Sequence, residues 1–245
     1  LQQEDWENFL NTTKIIRETA GSTGWQEWQR KLAEKGNQFV KEKEFVKAET
    51  VFRMLKEMEK HGDSAGLSDG LQSQLVQEKA MLLFRKEDWE KFWPVVKSLK
   101  ETANLAAWKD WQTRLADRGN EFIKEKQLSK AENIFSLLEK MEALGDSADL
   151  SKGLQRQLIQ EYAMLFYQSE DWEKFGDMIK YIKATADSTG WRKWQEDLSR
   201  KIDLLITKKD IDNAKRVFKV LQAMEALGDS ADLSIVHQAD ILLRT

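Results

Sequence analysis

The sequence has 245 residues, with 39 Lys+Arg against 42 Asp+Glu, one Pro, no Cys, two His and ten Trp. A net charge of −3 gives no strong field toward nucleic acid or an anionic membrane, and no apolar run approaches the roughly 18 residues of a membrane span. Without Cys there is no disulfide framework or thiolate metal site, and the scarcity of Pro and Gly argues against many short strands, leaving an all-α chain.

In chain order, the first element is a helix opened by Glu4-Asp5-Trp6-Glu7. Trp25 and Trp28 stand near the start of the next, at i, i+3, so both rings share one face. Leu32, Phe39 and Val40 continue its apolar stripe. Lys41-Glu42-Lys43-Glu44 leaves room only for a tight turn, after which Ala48, Val51, Phe52, Leu55 and Met58 mark an antiparallel partner. Gly62 stands where a helix C-terminus needs a left-handed residue, and Ser68 is the expected N-cap of the following helix. A second hairpin is predicted over 71–84 and 88–102, with Arg85-Lys86-Glu87 as its turn. Pro94 lies inside its second helix and forfeits a backbone bond, so a late start or a kink is expected there and at the counterparts Asn11 and Asp177.

The same order then recurs. Glu87-Asp88-Trp89-Glu90 and Glu170-Asp171-Trp172-Glu173 repeat the opening motif at intervals of 83 residues. That interval also relates Trp25/Trp28 to Trp108/Trp111 and Trp191/Trp194, Gly62-Asp63-Ser64-Ala65 to its copies at Gly145 and Gly228, and Ser68 to Ser151 and Ser234. Nine of the ten Trp obey it, and Trp93 does not. The expected architecture is a single repeat domain over 1–245, with units of approximately 4–86, 87–169 and 170–245, the last incomplete. Each unit holds two hairpins, giving an α-solenoid of about 12 helices in which every hairpin buries its apolar face against its neighbours.

Within this pattern, Gly36-Asn37-Gln38-Phe39 is followed by Phe45, Ala48 and Phe52, and Gly119-Asn120-Glu121-Phe122 by Leu128, Ala131 and Phe135. The third unit departs, with Ile202, Asp203 and Leu205, but keeps Ala214 and Phe218. These residues resemble the tetratricopeptide repeat signature: a small residue where two helices cross, an aromatic one turn on, and the Ala and aromatic of the second helix. The spacing is longer than the family's, at 44 residues from Gly36 to Ala80 and 39 from Ala80 to Gly119, against about 34. The resemblance implies a right-handed stack of antiparallel hairpins whose concave face holds an extended peptide or a partner helix. The family's groove positions fall on Arg30, Ala33, Asn37, Val40 and Lys41 in the first unit. In the second they fall on Thr113, Ala116, Asn120, Ile123 and Lys124, and in the third on Glu196, Ser199, Asp203, Ile206 and Thr207. The candidate contacts among these are Arg30, Asn37, Lys41, Thr113, Asn120, Lys124, Glu196 and Asp203. The Asn/Lys pairs match part of the carboxylate clamp of some family members, whose other Lys is Ala33 or Ala116 here.

His61 and His237 occupy different positions in the repeat, and no spacing assembles a Ser-His-Asp triad around either. Gly-Asp-Ser-Ala reads as cap and turn, because a nucleophile elbow needs a preceding strand and a Gly-x-Ser-x-Gly frame. The Trp pairs suit either packing between hairpins or aromatic platforms for a sugar or Pro-rich peptide. The expected function is a non-enzymatic protein–protein interaction scaffold whose partner is a protein or peptide. No cofactor, metal, nucleic acid or membrane insertion is implied. The alternative is a structural subunit that self-assembles head-to-tail. The sequence opens on the second helix of a hairpin and closes in a first helix, so two half-hairpins are complementary. A fragment of a longer array or a processed chain would read the same way. A carbohydrate-active α/α toroid would instead need a carboxylate pair that breaks the repeat.

Overall fold

The computed structural model describes residues 3–61, 66–102, 105–228 and 232–243. Among them are eleven helical elements and no strand: α1 Gln3–Lys41, α2 Phe45–Lys60, α3 Leu67–Arg85, α4 Trp89–Thr102, α5 Leu105–Lys124 and α6 Leu128–Ala143. They continue as α7 Leu150–Gln168, α8 Trp172–Thr185, α9 Ser188–Thr207, α10 Ile211–Ala226 and α11 Leu233–Leu243. Gly21 interrupts α1 with φ 65° and ψ 178°, a conformation open essentially to Gly alone. Two segments result, 3–20 and 22–41, bringing the described helical segments to the expected twelve.

Consecutive helices pack together, α1 with α2, α2 with α3, α3 with α4, α6 with α7, α7 with α8, α9 with α10 and α10 with α11. Helices two apart also touch, α1 with α3, α8 with α10 and α9 with α11, which is the signature of stacked hairpins. The chain divides into two compact units, Leu1–Trp111 with Leu144–Asp146, and Gln112–Ala143 with Ser147–Thr245. The division runs inside α5 rather than at a boundary of the 83-residue pattern. In the first unit, Ala33, Val40, Ala48, Val51, Leu55 and Leu71 form a core. In the second, Trp172, Phe175, Trp191, Leu198, Ile202 and Ala214 anchor a larger one.

The turns explain the most regular motif. Within hairpins the helices end on left-handed residues, Lys43, Lys126 and Lys209 at φ 60°, 60° and 61°, and Glu87 and Glu170 at 55° and 57°. The amide of Lys43 donates to Val40 O and that of Glu44 to Phe39 O. Lys126 and Gln127 repeat this pair of bonds, as do Glu170 and Asp171. Such paired bonds close a helix C-terminus. Whereas Glu4-Asp5-Trp6-Glu7 lies within α1, Glu-Asp-Trp-Glu is therefore a turn in its second and third copies. Its Glu turns left-handed and its Asp caps the next helix, with Asp171 Oδ1 accepting from Lys174 N at 3.3 Å and Asp88 Oδ1 from Lys91 N at 3.3 Å. The hydrogen bond from the Lys174 side chain holds the Asp171 carboxyl below the usual carboxylate range. Because the caps sit at Asp88 and Asp171, α4 begins at Trp89 and α8 at Trp172, so the expected late start is not found. Pro94 lies inside α4, α8 runs unbroken through Gly176 and Asp177, and position 11 is helical.

Between hairpins a different device appears. Ser68, Ser151 and Ser234 are not N-caps, since α3, α7 and α11 start one residue earlier. Each Ser is buried in the first turn and donates both its N–H and its hydroxyl to a carboxylate of the preceding helix, Glu59, Glu142 or Glu225. The N–Oε1 distances are 3.0, 3.0 and 3.1 Å. A carboxylate from a neighbouring helix thus satisfies an N-terminal amide that a local cap would otherwise serve. Gly145 and Gly228 take the left-handed conformation expected of them, at φ 95° and 93°, and Gly62 lies outside the described residues.

Candidate functional site

The Trp pairs separate into two roles. Trp25, Trp108 and Trp191 are fully buried. The indole N–H of Trp108 donates to Gly145 O at 3.2 Å and that of Trp191 to Gly228 O at 3.0 Å. At these positions the packing alternative holds. Trp111 packs on Phe84 and Phe92 at 5.9 and 5.7 Å, and Trp194 on Tyr167 and Phe175 at 5.8 and 5.3 Å. Trp28 differs, at 51% exposed against 6% for Trp111. Its counterparts of Phe84 and Phe92 are Leu1, outside the described residues, and Phe9. One framework residue escaped the sequence reading: Gln112 is fully buried and its Oε1 accepts from Ala148 N at 2.9 Å. Gln29 and Gln195, in the same register, are equally buried.

The eight candidate contacts are surface or half-buried residues. Arg30 and Lys41 on α1, Thr113 and Lys124 on α5, and Glu196 and Asp203 on α9 are exposed, while Asn37 and Asn120 are half-buried. Spacings of seven and four residues put Arg30, Asn37 and Lys41 on one side of α1, and Thr113, Asn120 and Lys124 on the same side of α5. Asn37 Oδ1 and Asn120 Oδ1 are buried without a hydrogen-bond partner. Ala33, Val40, Ala116, Ile123 and Ile206, also carried over as groove positions, are buried and belong to the packing instead.

In the third unit the structure assembles what the sequence spacing could not. His237 on α11 is 3% exposed, and its Nε2 lies 2.6 Å from Ser199 Oγ on α9. Its Nδ1 is 3.3 Å from Asp203 Oδ1, close enough for an ion pair but not aligned as a hydrogen bond. The counterparts in the first two units are Leu71 and Leu154, which press on Gly36 and Gly119. A Cβ at those glycines would come within 2.5 Å of Leu71 Cδ2 and 2.7 Å of Leu154 Cδ2. In the third unit Ile202 replaces the Gly and His237 the Leu, while Ser199 and Asp203 replace Ala and Asn. Four positions change together at one helix crossing. The order Ser-His-Asp is that of a hydrolase triad, but Ser199 sits in mid-helix with its amide committed to α9, so the local backbone offers no oxyanion donors. The arrangement is a polar replacement of an apolar crossing.

A second break in the pattern lies beside an open groove of about 540 Å³ between α8 and α10, whose lining includes Glu170, Asp171 and Glu173. Trp172, Gly176 and Asp177 line one side, and Arg216, Lys219 and Val220 the other. Trp172 is 4% exposed and its indole N–H has no acceptor, unlike those of Trp108 and Trp191. A Cβ at Gly176 would meet only Val220 Cγ2, at 3.9 Å. The residue in register with Gly176 is Trp93, the tryptophan outside the threefold pattern.

Among the described residues no helix is long and apolar enough to cross a membrane, and no three His, Cys, Asp or Glu side chains gather as metal ligands. No family model matches the chain, and no curated protein or solved structure matches it either.

Proposed function

We propose that the chain is a non-enzymatic protein-interaction scaffold built of tetratricopeptide-like hairpins. One observation carries this reading: the internal frame recurs while the exposed face changes at fixed register. The buried Trp108 and Trp191, the Ser–Glu bonds and the left-handed turn residues repeat in kind. Among the candidate positions one runs Arg30, Thr113, Glu196, whereas the half-buried Asn37 and Asn120 give way only to Asp203, and Lys41 and Lys124 only to Thr207. A rigid frame with a varied, mostly polar surface suits recognition by a few charged or hydrogen-bonding anchors. Selection of a displayed random peptide library on the immobilised chain tests it. Binders should lose at least about tenfold in affinity to the Lys41→Glu and Lys124→Glu double variant, one charge-assisted contact being worth about that factor. Binders indifferent to that change, or no binders at all, would remove the reading.

Head-to-tail self-assembly is favoured by a separate observation. Trp28 is exposed where its counterparts are covered by a neighbouring helix, and Ile235 and Val236 on α11 are exposed where α3 has Asp69-Gly70 and α7 has Lys152-Gly153. Light scattering decides this reading. A mass that rises with concentration, and falls back in Trp28→Gln, supports it, and a constant monomer mass discards it.

A further inference from the structure

At the joint around Gly21 the first unit departs from its own template. Ala20-Gly21-Ser22-Thr23-Gly24 stands in register with Ala186-Asp187-Ser188-Thr189-Gly190, with Gly in place of the capping Asp. The ψ angles agree, at 178° for Gly21 and 172° for Asp187, but φ is 65° in one and −73° in the other. Ala186 is extended, whereas Ala20 stays helical. The two joints therefore aim their preceding helices differently. Phe175 of α8 packs on Trp194 at 5.3 Å, and Phe92 of α4 packs likewise on Trp111 at 5.7 Å. In the first unit the same pair would be Phe9 and Trp28. No ring packs on Trp28 among the described residues, and it is half exposed.

We propose that the segment 3–20 is a lid that turns about Gly21 and closes Phe9 over Trp28, as Phe92 and Phe175 cover their tryptophans. Glycine takes positive and negative φ with similar ease, so this joint can pass between the two conformations. Little holds the segment in its open position. Thr13 is its only buried residue among the described side chains, against Trp172, Phe175, Ile179 and Ile182 on α8. Closing buries an indole and adds an aromatic pair, both favourable. A second glycine keeps the open form available. A Cβ at Gly24 would fall 2.8 Å from Ala20 Cβ, closer than two carbons can sit, whereas a Cβ at Gly190 would meet Ala186 Cβ at an ordinary 3.7 Å. The lid governs access to Trp28, the ring that head-to-tail association would use, without resting on that reading.

The full chain labelled with fluorotryptophan reports the lid directly. The Trp28 fluorine signal is the one lost in Trp28→Phe, and its shift between light and heavy water measures solvent access. Gly21→Asp disfavours the open φ and supplies the carboxylate that, at Asp187, accepts from Gly190 N at 2.7 Å. Gly24→Ala penalises the open form from the other side of the joint. In each variant, at a dilution where light scattering gives the monomer mass, the Trp28 isotope shift should fall by at least about half as the closed form takes over. Adding Phe9→Ala to either variant should return the shift to the parent's value. An unchanged shift in both variants, or a fall that survives Phe9→Ala, would overturn the lid. Association is read from the mass and closure from the monomer's fluorine signal, so the failure of one is distinguishable from that of the other.

Discussion

At position 191 the indole is fully buried and its N–H reaches Gly228 O at 3.0 Å, so two substitutions can separate its contributions. Trp191→Phe keeps most of the apolar volume but leaves the carbonyl without this donor, which should cost about 1–3 kcal/mol in urea unfolding. Trp191→Ala adds a cavity and should cost about 3–5 kcal/mol. Trp28→Phe, at an exposed ring, should stay within about 0.5 kcal/mol. Tyr162 supplies a pH effect. Burial, reinforced by a hydrogen bond and the charge of Glu132, pushes its phenol up to about 12. The folded state therefore holds this proton after the unfolded chain has released it. Stability present below the ordinary Tyr value of about 10 should be lost as pH rises toward that raised value. Thermal melts of Tyr162→Phe across that alkaline window should show a flatter decline than the parent.

Among elements, the joints between hairpins are the informative feature. Glu142 accepts from both the amide and the hydroxyl of the buried Ser151, so Glu142→Ala strands two donors. A loss of about 2 kcal/mol or more is expected, with Glu142→Gln losing less because one acceptor oxygen remains. Denaturation midpoints in the order parent, Gln, Ala would bear this out. The crossing of α9 and α11 supports a sharper test. Ile202→Gly alone should open a cavity, and His237→Leu alone should remove the partner of Ser199. Together they restore the Gly/Leu pair of the other two units, so the double variant should be more stable than additivity predicts by about 1 kcal/mol. Periodicity and turn residues made the helices, the hairpin turns and the buried Trp legible in the sequence, because those depend on contacts within one or two turns. The Ser–Glu bonds span nine residues across a link, and the His237–Ser199 contact spans 38. Neither follows from local pattern without knowing how the helices lie side by side. The break at Gly176 was legible as an absence, where the register holds Trp93.

Across the whole molecule, stability should be unevenly spread. In the segment 3–20 Thr13 is the only buried residue among the described side chains, whereas α9 and α10 contribute Trp191, Leu198, Ile202, Val217, Leu221 and Met224 to one core. Local opening free energy follows buried apolar contact, so amides in 3–20 should exchange with solvent deuterium orders of magnitude faster than those of α9 and α10. Unfolding of a stacked-hairpin array of this length should also show more than one step in denaturant. Exchange mass spectrometry then sorts the functional readings on one sample. A selected peptide should slow exchange in α5, around Thr113, Asn120 and Lys124, with 3–20 unchanged. Self-association should instead slow 3–20 and the turns around Trp28 as concentration rises. Uniform protection across 3–20, α5 and α10 in the dilute chain would contradict the burial gradient on which the expectation is built.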